Sequence, residues 1–194
     1  NFANDLFDFM KGADDEHRVG PARMTQQGHI TVSTMAKATG LAMGLAALVG
    51  LYLVWVAGWI VVAIGITGII AGIFYTAGPK PLGYLGLGEV LVFLFFGIAA
   101  VCGTYFVQTG TLTLGVLGVA ASIGLLASAI LVVNNLRDRH TDVRVGKRTL
   151  AVRFGARFSR FEYAGLLIAA YIPPLILGFD SQTRGALLVL LHED

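Results

Sequence analysis

The chain has 194 residues, of which 56% are hydrophobic and 13% charged, with a net charge of +2 and a mean hydropathy of +0.74. Soluble domains carry about a quarter charged residues, so this balance excludes an ordinary water-soluble globule and points to a membrane solvent. The small net charge and the lack of a basic stripe with interleaved aromatics exclude nucleic acid as a partner. The single cysteine, Cys102, excludes an intramolecular disulfide and a cysteine-built zinc site.

In chain order, a polar segment over residues 1–37 comes first, without the basic-then-apolar pattern of a signal peptide. Two apolar runs follow, at about 38–57 and 58–77. A second polar segment covers 78–88, then come apolar runs at about 89–108 and 112–134. A third polar segment, 135–160, leads to a fifth apolar run at about 161–179, which Pro173-Pro174 is expected to kink. Gly185 to Leu191 reads as the start of a sixth. About 20 mostly apolar residues cross the bilayer core, so the five runs predict five full transmembrane helices. The expected fold is all-α, a polytopic transmembrane helical bundle. It is read as one domain over 1–194, a fragment incomplete at both ends. Glycines such as Gly65, Gly68 and Gly72 within the runs suit close helix packing in lipid.

Two passes separate each polar segment from the next, which puts all three on one side. Thirteen of the 14 Lys and Arg residues fall in these segments, Arg184 being the exception. The connections on the other side, around Ala57-Gly58 and Thr109-Gly110-Thr111, carry none. The positive-inside rule makes the polar side cytoplasmic. Trp55 and Trp59 then read as an aromatic belt at the far interface.

The acids are placed as unevenly. Asn1, Asn4, Asp5 and Asp8 recur at i, i+3, i+4 and i+7, one stripe of a helix. Asn134, Asn135, Asp138 and Asp142 share the stripe pattern at the end of the fourth run. The two stretches resemble each other, Asn4-Asp5-Leu6-Phe7-Asp8 beside Asn134-Asn135-Leu136-Arg137-Asp138, as an internal duplication would. Carboxylates at one-turn spacing suit hard cations, and Mg²⁺ fills its remaining positions with water and substrate phosphate. Basic residues nearby, among them Lys11, Arg18, Arg23, Lys80, Arg137, Lys147 and Arg148, could neutralise a leaving diphosphate. A cation transporter would place its acids near the bilayer midplane in broken helices, whereas these gather at helix ends.

These motifs resemble the UbiA superfamily of intramembrane aromatic prenyltransferases. The signature Asn-Asp-x-x-Asp stands as Asn4-Asp5-Leu6-Phe7-Asp8, and Asp-x-x-x-Asp as Asp138 to Asp142, followed by Gly146-Lys147-Arg148-Thr149-Leu150. Between them, Tyr75 to Tyr84 is similar to the family's Tyr…Lys/Arg loop. The text is most similar to the branch acting on 1,4-dihydroxy-2-naphthoate, through Lys11-Gly12-Ala13-Asp14, Arg18 to Arg23 and Gly83 to Glu89. Many members carry a third Asp where this chain has Gly12, and Asp14 takes that place in the expectation.

The resemblance implies a Mg²⁺-dependent, decarboxylating transfer of a polyprenyl group to the naphthoate, in a bacterial inner membrane with the active site facing the cytoplasm. Asn4, Asp8, Asp14, Asp138 and Asp142 would bind metal, with Asp5, Asp8, Asp138 and Asp142 catalytic. Lys80, Arg137, Lys147, Tyr75 and Lys11 would hold diphosphate; Asn134, Asn135, Tyr84 and Arg23 would flank the motifs or meet the acceptor. The prenyl tail would run along apolar walls such as Phe93, Phe95, Phe96 and Phe106, beside membrane lipid. Another aromatic acceptor, such as 4-hydroxybenzoate or homogentisate, is the alternative within the same chemistry.

Overall fold

A computed structural model describes residues 2–10, 23–76 and 81–178. Among them the chain is helical and contains no strand. The order is α1 (Phe2–Met10), α2 (Val32–Ala57), α3 (Trp59–Thr76) and a 3₁₀ turn (Leu82–Leu85). Next, α4 (Gly88–Val92), a π-helical stretch (Phe93–Cys102) and α5 (Gly103–Thr109) follow without a break. Then come α6 (Leu114–Arg137), α7 (Arg139–Arg144) and α8 (Leu150–Gly178).

Four helical stretches among the described residues are long and apolar enough to span a membrane: Val32–Ala57, Gly88–Thr109, Leu114–Arg137 and Leu150–Gly178. The apolar helix Trp59–Tyr75 is shorter. These are the five runs expected from the sequence, so the polytopic α-helical bundle stands. Polar boundaries set the helix ends. Thr31 caps α2, its hydroxyl accepting from the Thr34 N–H at 3.2 Å, and Thr113 does the same for Val116 at the start of α6. Residues such as Leu41, Leu48 and Leu51 on α2 stay exposed, as lipid-facing side chains must.

Helix α8 starts at Leu150, ahead of the apolar run near 161, but as two helical pieces joined at a kink, so the first piece precedes the span. Thr149 starts that first piece: it is buried, and its hydroxyl accepts from the Val152 N–H at 3.4 Å, capping a turn that carries Arg153. Both Pro173 and Pro174 lie inside α8, which continues through them to Gly178. The residue of α8 with non-helical backbone angles is Gly155 (φ 82°, ψ 178°).

The chain divides into two units. The first comprises 1–88 and 134–156 and so takes in the described parts of all three polar segments, save the last four residues of the third, together with α2 and α3. Within it α1 packs on α2 and α3, and α3 packs on the 3₁₀ turn. The second comprises 89–133 and 157–194. Its described core is built on small residues of α6, including Ala120, Ser122, Gly124, Ser128 and Ala129. Gly97 of the π-helical stretch meets Gly124 so closely that a Cβ on Gly97 would lie 2.5 Å from the Gly124 Cα. On α6 a Cβ at Gly118 would lie 3.1 Å from Leu177 and 3.4 Å from Pro173. The Ser128 hydroxyl is buried there, donating within reach of the Glu89 carbonyl (3.0 Å) and the Gly124 carbonyl (2.9 Å).

Candidate active site

The second aspartate motif is a helix that turns without losing its spacing. α6 ends at Arg137, and Asp138 (φ −87°, ψ 4°) leads into α7. The Asp138 N–H still donates to the Asn134 carbonyl at 2.9 Å, and the Asp142 N–H to the Asp138 carbonyl at 2.8 Å. One-turn spacing of Asn134, Asp138 and Asp142 is therefore kept in the backbone. The Asp138 carboxylate does not cap α7; the Arg137 guanidinium takes both its oxygens, Nε to Oδ1 and Nη2 to Oδ2, each at 2.7 Å. Asp142 is buried, and the Lys147 ammonium stands 3.6 Å from its Oδ1.

Residues of the second and third polar segments are fastened together around Tyr84. The Arg148 N–H donates to the Tyr84 carbonyl at 2.9 Å, and the Arg153 guanidinium donates to the Leu85 carbonyl at 2.9 Å. Gly86 (φ 74°) presses so near the Arg148 carbonyl that a Cβ would come within 3.0 Å of it. Lys147 lies over the Tyr84 ring, 5.3 Å from its centroid, so one cation touches both an acid and an aromatic face. Tyr75, near the end of α3, packs its ring on Gly83, where a Cβ would sit 3.1 Å from Tyr75 Cζ. Of the two tyrosines singled out in the sequence, Tyr84 thus meets Lys147, and Tyr75 packs on the neighbouring Gly83.

In the first motif Asp5 is buried on α1 beside buried Leu6, and its Oδ1 meets no hydrogen-bond partner among the described residues. A shielded carboxylate oxygen without a donor is costly in a folded protein, and a bound cation removes the cost. The donor set is hard oxygen throughout, which fits Mg²⁺. Among the described residues no three acids, histidines or cysteines converge, so the described side chains do not complete such a site. The side chains of Asn4 and Asp8, and all of Lys11, Asp14 and Lys80, lie outside the described residues. Asn134 and Asn135 are half-buried at the end of α6, and Arg23 is half-buried ahead of α2.

Sequence reasoning missed Arg153. The stretch reads as polar loop, so no signal stood out; in the structure Arg153 lies in the first turn of α8, where a cation opposes the helix dipole, and the Leu85 carbonyl is its partner. For Gly86 and Thr149, whose parts depend on a neighbour distant in the chain, no local signal stands out.

Comparison with known proteins bears on the whole chain. Residues 1–192 match the UbiA prenyltransferase family. The chain is 42% identical to the 1,4-dihydroxy-2-naphthoate octaprenyltransferase of Haemophilus influenzae, over 88% of this chain and 57% of that relative. It is 41% identical to the protein of that name from Escherichia coli, over 89% of this chain and 58% of the relative. For the Mycobacterium tuberculosis protein the values are 41%, 91% and 60%. The chain therefore spans somewhat more than half the length of the curated relatives it matches. No solved structure matches it significantly. A helical chain with membrane-spanning stretches, matched over nearly its full length and carrying both aspartate motifs, belongs to the UbiA prenyltransferase family.

Proposed function

We propose that the protein transfers a polyprenyl group from its diphosphate to 1,4-dihydroxy-2-naphthoate, with loss of the ring carboxylate, at the cytoplasmic face of a bacterial inner membrane. The observation that supports this reading is the cluster of Asp142, Lys147 and Tyr84 beside the Arg137–Asp138 pair, in which cations stand among carboxylates. The names of the relatives supply the acceptor.

Asn4, Asp8, Asp138 and Asp142 would hold Mg²⁺, with Asp5 and Asp14 adjoining. Bound there, Mg²⁺ supplies Lewis-acid neutralisation of the diphosphate. Arg137, Lys147, Lys80 and Lys11 bind diphosphate oxygens and stabilise the negative charge that grows as the allylic C–O bond breaks. Tyr75 and Tyr84 flank that anion site, where the naphthoate ring can be oriented against the allylic carbon. The electron pair of the C–O bond leaves with pyrophosphate. An electron-rich ring carbon forms the new C–C bond, and the electron pair of the carboxylate bond returns to the ring as CO₂ departs. Phe93, Phe95, Phe96 and Phe106 offer the prenyl tail apolar walls.

Membranes containing the full-length protein, Mg²⁺, a polyprenyl diphosphate and 1,4-dihydroxy-2-naphthoate should release CO₂ and pyrophosphate in equal amounts. Product with 4-hydroxybenzoate and none with the naphthoate would reassign the acceptor.

A further inference from the structure

Two of the cations expected to hold diphosphate are ion-paired with two of the carboxylates expected to hold metal. Arg137 covers both oxygens of Asp138 at 2.7 Å, and Lys147 stands 3.6 Å from Asp142. Metal arriving alone would meet each carboxylate beside a positive charge, and it would have to compete with a bidentate guanidinium fork at Asp138. A diphosphate changes that competition, because the fork that fits a carboxylate also fits a phosphate. Lys147 has a second holding place already: the Tyr84 ring keeps an ammonium nearby without using an anion.

From this geometry we infer that Arg137 and Lys147 are exchange partners, which guard Asp138 and Asp142 in the empty site and move to diphosphate when metal and substrate enter together. The inference rests on the function proposed above and adds to it a binding order. Metal and diphosphate each raise the affinity for the other, and the coupling is reciprocal. Tyr84 is a positioning residue in this scheme, acting through Lys147. The guard has a plain use: carboxylates neutralised at rest neither repel one another nor trap stray divalent ions.

The test uses full-length protein in detergent micelles, with Mn²⁺ as the metal probe and inorganic pyrophosphate as the anion probe. Mn²⁺ binding without anion is read from the loss of the free-ion resonance; radiolabelled pyrophosphate retention is read with Mg²⁺ present. In R137Q, Mn²⁺ alone should bind roughly fivefold tighter than in the wild type, the scale of a partly exposed pair, while pyrophosphate retention falls at least as much. K147Q should show the same opposed changes at Asp142, and R137K, which keeps the charge but loses the fork, should lie between. An unfolding or merely structural defect lowers both affinities, so a gain in one with a loss in the other marks the exchange. Equal or weaker Mn²⁺ binding in both R137Q and K147Q overturns the inference, as does wild-type Mn²⁺ binding that pyrophosphate does not strengthen. Those results with prenyl transfer intact leave the proposed function standing. A wild-type protein that neither retains pyrophosphate nor transfers a prenyl group sinks both.

Discussion

The two units of the chain are held together by opposite means. In the first, contacts at the 3₁₀ turn are polar and directional: a main-chain N–H on the Tyr84 carbonyl, a guanidinium on the Leu85 carbonyl, an ammonium between an acid and a ring. In the second, the tightest described contact forms where side chains are missing, at Gly97 and Gly124. Helices in lipid gain little from hydrophobicity against one another, so close backbone approach and a few hydrogen bonds must hold them. Charged groups at the membrane edge can be fixed by directed bonds, and the proposed transfer from a diphosphate needs them fixed. Chemistry and scaffold therefore respond to different substitutions, and measuring activity and stability together separates them.

The largest effect should fall on activity alone. Asp138→Asn keeps size and removes the charge, and prenyl transfer should drop by at least about 100-fold, the scale of losing a group that stabilises transition-state charge. Asp5→Asn should act in the same direction, since Oδ1 of Asp5 is shielded with no partner among the described residues. Thermal unfolding in detergent should move little for either. A drop in stability that matches the drop in activity would count against a chemical role.

The converse belongs to the second unit. Gly97→Ala sets a Cβ 2.5 Å from one backbone atom and 2.7 Å from another, the Ala120 carbonyl oxygen, so helices must part. The expected cost is about 1–3 kcal/mol of stability, read as lower resistance to denaturing detergent. Gly65→Ala on α3 meets nothing within 4 Å and should be neutral. Equal behaviour of the two alanines would mean that the glycine contact is not what holds these helices. Gly86→Ala mixes both signatures. Its φ of 74° and the Arg148 carbonyl at 3.0 Å together should cost about 1–2 kcal/mol. Because the 3₁₀ turn carries Tyr84, KM for the diphosphate should rise as well.

How much of this the sequence disclosed follows from the range of each interaction. The spans were legible because twenty apolar residues in a row have one physical use in a membrane protein. The Asn134–Asp138–Asp142 spacing was legible because helical period is local, and it persists through the turn at Asp138. The start of α8 was not, since Leu150 to Arg160 is polar enough to read as loop and becomes helix through the Thr149 cap and tertiary bonds of its side chains. Gly155 gave no local warning, yet its non-helical angles divide α8. The Arg137 fork on Asp138 was hidden for a different reason. Adjacent residues on a regular helix point about 100° apart, and here they meet where the backbone angles change at Asp138.

The smallest predicted effect is the sharpest probe of the contrast. Ser128 is 1% exposed, and its hydroxyl lies 3.0 Å from the Glu89 carbonyl on a different helix and 2.9 Å from the Gly124 carbonyl on its own. It places a directed polar bond beside the close approach of Gly97 and Gly124. Ser128→Ala removes that bond without adding bulk, and the Gly124 carbonyl keeps its helical partner. The loss should therefore be about 0.6 kcal/mol, the average for an interhelical hydrogen bond in a membrane. Ser128→Val adds volume at a closed site and should cost more, as overpacking does. If alanine costs as much as valine, the hydroxyl rather than the fit holds the two helices. If alanine costs nothing, the glycine contact suffices, and the division between a bonded site and a packed scaffold is complete.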